Sequence, residues 1–107
     1  MTCTCGYQRL APSSRKRAEA KLIAALKALL AEQRGALATV SMHKLARAAR
    51  ATGNEFDRAE LRYLHTQWRQ VLRARAQRVS VNGAVWRREG EGPKHVVYAR
   101  FEAEVGP

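Results

Sequence analysis

The 107 residues suit one domain with a single modest core, and a net charge of +11, from 20 Lys and Arg against nine Asp and Glu, points to an acidic partner. A hydrophobic content of 46% argues against a disordered chain. No run approaches the ~18 apolar residues of a membrane span, and the longest Ala/Leu-rich stretch is broken by Glu19, Lys21 and Lys27.

Residues 1–13 read as a flexible tail. Cys3, Cys5 and Arg9 lack the charged-then-apolar order of a signal peptide, so a cytoplasmic, nucleoid-associated protein is expected. Cys3 and Cys5 are the two cysteines, and His43, His65 and His95 are scattered. A zinc site wants four converging ligands, so no metal and no cofactor is expected, and the cysteines read as incidental thiols.

A first helix is predicted from about Arg15 to Gln33, with Pro12-Ser13-Ser14 as stop and cap and Gly35 as exit. Ala18, Leu22, Ala25, Leu26 and Leu29 recur at helical spacing and form its core stripe. Ile23 and Leu30 widen that stripe, either for a homodimer or, as the slightly preferred reading, for the carboxy-terminal segment of the same chain. A short strand at Ala38-Thr39-Val40 follows. Ser41 then caps a second helix, whose Met42, Leu45, Ala46 and Ala49 point inward while His43, Lys44, Arg47 and Arg50 point out.

Thr52-Gly53-Asn54 ends the second helix, and Asp57 with Glu60 forms a capping box for a long third helix, Ala59 to Gln77. Leu61, Leu64, Trp68, Val71 and Leu72 are its expected buried stripe, with His65 packed beside it. The opposite direction carries Tyr63, Thr66, Gln70 and Arg73, flanked by Arg62 and Arg69. From Arg62 to Arg88 there are seven arginines and no acid, so each of these cations lacks a partner close in sequence. The period then changes to that of strands. Val79 and Val85 flank Asn82-Gly83, a strong hairpin signal; Gly90-Glu91-Gly92-Pro93 makes a further turn, and Lys94 to Phe101 returns as a strand. Trp68 and Trp86 read as core, and 103–107 as a short tail.

The order of helix, short strand, two helices and hairpin over residues 14–102 resembles the winged helix-turn-helix superfamily. The residues that carry the likeness are Val40 to Ala46, the helix containing Arg62 to Arg73, and Val85-Trp86-Arg87-Arg88 with Lys94 to Tyr98. The resemblance implies an α+β fold, three helices with a short strand and a C-terminal β-hairpin wing. It implies a third helix in the major groove of duplex DNA and a wing on the neighbouring backbone. Arg62, Arg69 and Arg73 would then meet guanine or phosphate, and Tyr63, Thr66 and Gln70 would add hydrogen bonds. Lys44 and Arg47 would hold the backbone, with Arg87, Arg88, Lys94 and His95 as wing contacts. The connection from Thr52 to Phe56 is longer than a simple helix-turn-helix allows, and the third helix is unusually long.

Three functional classes follow. The leading one is a duplex-DNA-binding regulator or architectural protein. The second is an RNA or single-strand binder, in which Tyr63 or Tyr98 stacks on bases. The third is a module for an acidic protein partner. No catalytic role is expected: there is one Asp, the Glu residues are dispersed, and no Gly-rich phosphate loop, His-Glu-x-x-His or Gly-x-Ser-x-Gly occurs.

Overall fold

The chain runs α1 (Pro12–Ala31), β1 (Leu37–Val40), α2 (Met42–Ala51), α3 (Arg58–Arg75), β2 (Arg78–Val81), β3 (Ala84–Glu91) and β4 (Val96–Glu102), an α+β arrangement of three helices and one antiparallel sheet. This computed structural model describes residues 11–102. Cys3, Cys5 and most of the two expected tails, 1–10 and 103–107, lie outside the described residues.

Pro12 opens α1, where its missing N–H is no loss, and Ala11 occupies the N-cap without a capping side chain. Ser14, expected as a cap, therefore lies inside the helix. At the other end the Glu32 and Gln33 N–H groups fold onto the Leu29 and Leu30 carbonyls at 3.2 and 3.1 Å, ending α1 before Gly35. The buried row is Ala18, Leu22, Leu26 and Leu30 at spacing four, with Ala25 beside it. Leu30 thus cannot serve a dimer: it is 2% exposed and sits beside Ala84 and Trp86 of the chain's own sheet. Leu29 and Ile23 are half-buried against the core.

The Ser41 hydroxyl accepts the Lys44 N–H at 3.2 Å and starts α2, as expected. That helix ends in a Schellman motif. Gly53 takes a φ of 82°, its N–H meeting the Arg50 carbonyl, while the Asn54 N–H reaches the Ala49 carbonyl at 2.9 Å. Phe56 in the following loop is buried, so the longer connection is anchored in the core.

The capping box of α3 is present in full. Asp57 accepts the Glu60 N–H at 2.8 Å, and the Glu60 carboxylate accepts the Asp57 N–H at 2.9 Å. Glu60 takes the inward position of that first turn, which leaves Leu61, expected in the buried stripe, 40% exposed. His65 is also exposed, not packed: it lies about 100° round from Leu64. Leu64, Trp68, Val71 and Leu72 are buried. α3 ends at Arg75, two residues earlier than expected, where the buried Tyr98 hydroxyl donates to the Ala76 carbonyl at 2.6 Å.

The sheet order is β1-β4-β3-β2, antiparallel throughout. The short strand β1 pairs with the last one, Val40 opposite Val96, while β2 and β3 form the Asn82-Gly83 hairpin. Both turn residues have positive φ, 52° and 81°, as a type I′ turn requires. Ala38, Val40, Val79, Trp86, Val96 and Tyr98 bury one face against the helices. A register shift between Arg88 and Gly90 leaves Glu89 unpaired in the ladder, and beyond it the β3–β4 tip reaches α3. Among the described residues no helix is long and apolar enough to cross a membrane.

Candidate nucleic-acid interface

The buried stripe of α3 leaves an outward face of Arg62, Thr66, Arg69, Gln70 and Arg73. Arg62 is exposed and has no hydrogen-bond or ion-pair partner among the described residues. The Thr66 hydroxyl donates to the Tyr63 carbonyl at 3.4 Å, and Gln70 accepts from Arg73 at 3.3 Å, so both stay polar and outward. Tyr63 does not belong to this face. It is half-buried at the border with α1, and its hydroxyl donates to Glu19 at 2.7 Å. Burial, reinforced by that carboxylate, raises its pKa, so the phenol is a neutral donor at pH 7.

The topology supplies acids that the sequence keeps distant. Glu91, at the β3–β4 tip, accepts from Arg73 of α3 at 3.0 Å and from Arg88 of β3. Arg69 approaches the same carboxylate at 4.0 Å and donates to the Gly92 carbonyl at 2.9 Å. The hydrogen bonds from Arg73, then Arg88, hold the Glu91 carboxyl below the usual carboxylate range, so it is ionised at neutral pH. Arg75 is taken by Glu19 of α1 at 3.2 Å. The arginines of the acid-free stretch are therefore not uniformly unpartnered: Arg69, Arg73 and Arg75 have acids brought to them by folding, and Arg88 meets Glu91 three residues on in its own strand. Glu91 is the member of this cluster that sequence reasoning missed, because no periodicity ties it to α3.

The tip itself turns tightly. Gly92 N–H donates to the His95 carbonyl at 2.7 Å, and a Cβ on Gly92 would lie 2.5 Å from the His95 imidazole. His95 is thus folded over the turn, half-buried, and is not an outward wing contact. Lys94 is exposed at the tip. Arg87 is exposed on the other face of the sheet, its guanidinium 4.9 Å from the Phe101 ring. This separates it from the Glu91 group, because neighbours along a strand point to opposite faces.

On α2, Lys44 and Arg47 are exposed and border a shallow groove shared with Ala28, Leu29 and Glu32 of α1. Lys44 donates to the Thr39 carbonyl at 3.0 Å, which steadies it over the end of β1. Arg50 pairs with Glu55 at 3.3 Å. The structure therefore brings Arg69, Gln70, Arg73 and Arg88 together, continues that face to Thr66 and Arg62, and leaves Lys44 and Arg47 as a separate group.

Among the described residues, neither Tyr63 nor Tyr98 offers a stacking surface for unpaired bases. Tyr98 is fully buried, which pushes its phenol pKa up, and Tyr63 is turned to Glu19. Among the described residues, no three of His, Cys, Asp and Glu come together to hold a metal ion. Comparison with protein-family models, curated proteins and solved structures finds no match to this chain.

Proposed function

We propose that this is a winged-helix, duplex-DNA-binding domain of a transcriptional regulator or basic architectural protein. In this reading α3 enters the major groove and the β3–β4 tip rests on the adjoining backbone. The observation that carries it is the continuous outward face from Arg62 through Thr66 and Gln70 to Arg73, joined to the tip by the Arg69–Gly92 hydrogen bond. A helix of 18 residues is about 27 Å long, enough to lie along a groove and still reach the backbone. β1 lying beside β4, with β3–β4 as the wing, agrees with the resemblance seen in the sequence; β2 is an additional strand.

Within this arrangement Arg62 is the strongest candidate for a base-edge contact, being exposed at the N-terminal part of α3. Arg69 and Arg73 fit backbone phosphate, with Thr66 and Gln70 supplying neutral hydrogen bonds. Lys94 at the tip and Lys44 with Arg47 on α2 would add phosphate contacts. The burial of Tyr98 and the Tyr63–Glu19 bond favour the duplex over single strands, since these two rings, the stacking candidates read from the sequence, are engaged elsewhere.

The test is a titration against random duplex DNA, single-stranded DNA and structured RNA at several salt concentrations. Duplex preference with a steep negative dependence on salt is the expected result. Preference for RNA would replace this reading with a ribonucleoprotein role. Dissociation constants weaker than about 10⁻⁴ M for all three at physiological salt would assign the basic face to a protein partner.

A further inference from the structure

Most of the partnered acids among the described residues secure the scaffold. Asp57 and Glu60 cap α3, Glu60 also holds Lys21, Glu19 joins α1 to Arg75 and Tyr63, and Glu55 meets Arg50 beside the α2–α3 loop. Glu91 differs. Its carboxylate lies where guanidiniums from two separate elements converge: Arg73 at 3.0 Å and Arg69 at 4.0 Å from α3, and Arg88 from β3. Three guanidiniums carry far more N–H donors than one carboxylate can accept. The Arg88 Nε–H, buried, has no acceptor among the described residues, so the cluster retains donor capacity. Arginine forks bind carboxylate and phosphate oxygens with the same planar geometry.

We infer that Arg69, Arg73 and Arg88 form a phosphate site in which the chain's own Glu91 sits, so that a nucleic-acid phosphate enters by displacing it. The inference rests on the duplex-binding reading for the identity of its ligand, but the site itself is testable without DNA. The pairs with Arg69 and Arg73 are partly exposed, and ion pairs of that kind contribute little net stability, whereas the less exposed Arg88 must exchange Glu91 for the entering phosphate. A Cβ at Gly90 would meet nothing within 4 Å, so there is open space beside Glu91, while Gly92 on its other side is held by the His95 carbonyl. The carboxylate then acts as a competitor that weakens the binding of an isolated phosphate and yields at lower concentration to a polyanion. Arg69 keeps the tip beside α3 through the Gly92 carbonyl while Glu91 leaves.

The experiment uses the full chain, Glu91→Gln, and Glu89→Gln as a control with the same change in net charge two residues away. Inorganic phosphate is titrated first, followed by the NMR resonances of the arginine Nε–H groups and the Gly92 amide. Glu91→Gln is expected to bind phosphate about three- to tenfold more tightly than the wild type, with Arg73 and Arg88 shifting together, and Glu89→Gln to stay within about 1.5-fold. In the wild type, saturating phosphate should move the Glu91 carboxyl carbon resonance toward that of a free glutamate, a readout that does not depend on any variant folding. An unmoved Glu91 resonance, or equal phosphate binding by Glu91→Gln and wild type, overturns the inference whatever DNA does. Duplex DNA is titrated second, and Glu91→Gln should bind it more tightly with a salt dependence steeper by about one phosphate contact. A phosphate effect without any DNA binding would uphold the site and refute the duplex reading.

Discussion

On the side of α3 that faces α1, charged and polar groups are matched with partners: Lys21 lies 2.8 Å from Glu60, Arg75 lies 3.2 Å from Glu19, and Tyr63 donates to that same carboxylate at 2.7 Å. On the outward side, Arg62 has no partner among the described residues, and Arg69, Arg73 and Arg88 share the single carboxylate of Glu91. One helix thus spends its acids on fixing its own position and leaves its cations in excess where it meets solvent. The inner pairs serve the fold because each cation there has an acid to meet, Lys21 with Glu60 and Arg75 with Glu19. The outer group sets three guanidiniums on one carboxylate beside a solitary Arg62, and such excess positive charge on a rigid element is what attracts a polyanion.

Substitutions can break or sharpen that contrast. Trp86→Ala, under the helices at 2% exposure, should cost about 3–5 kcal/mol in urea denaturation, enough to threaten folding outright. Glu60→Ala removes the capping box and the Lys21 pair at once, and a loss of about 2–3 kcal/mol is expected by the same measurement. Arg62→Ala should behave in the opposite manner. Stability should stay within about 0.5 kcal/mol, while duplex binding weakens by about 1–2 kcal/mol with relaxed sequence preference; uniform weakening across sequences would make Arg62 a phosphate contact instead. Tyr98→Phe, which deletes the 2.6 Å bond to Ala76 at the end of α3, should lower stability by about 1 kcal/mol and leave DNA binding intact. A Tyr98→Phe variant that bound DNA poorly would show that the sheet sets the angle of α3.

The features legible in the sequence were those governed by neighbours in the chain. Ser41, the Asp57–Glu60 box and Asn82-Gly83 act over two to four residues, and each forms as its spacing predicts. The inward placement of Trp68 and Trp86 followed from apolar period. What the sequence could not reveal depends on which elements meet. Leu30 looks like a flank residue until the sheet arrives beside it, and Leu61 loses its inward place to a glutamate that has two polar partners. Tyr63 reads as outward by angle alone, yet it lies close enough to the α1 border for Glu19 to claim it. Glu91 and His95 are fixed by the register shift and the tight Gly92 turn, neither of which leaves a periodic signal.

In the proposed arrangement the outward side of α3 and the β3–β4 tip together meet duplex DNA. The most direct measurement is an NMR titration of the labelled protein with a short duplex, following every backbone amide. The largest shifts should fall on Arg62 to Arg73 and on Gly90 to His95, with α1 and the Asn82-Gly83 turn between β2 and β3 quiet. Shifts concentrated on the exposed sheet face around Arg87 and Phe101, or on α1, would contradict it.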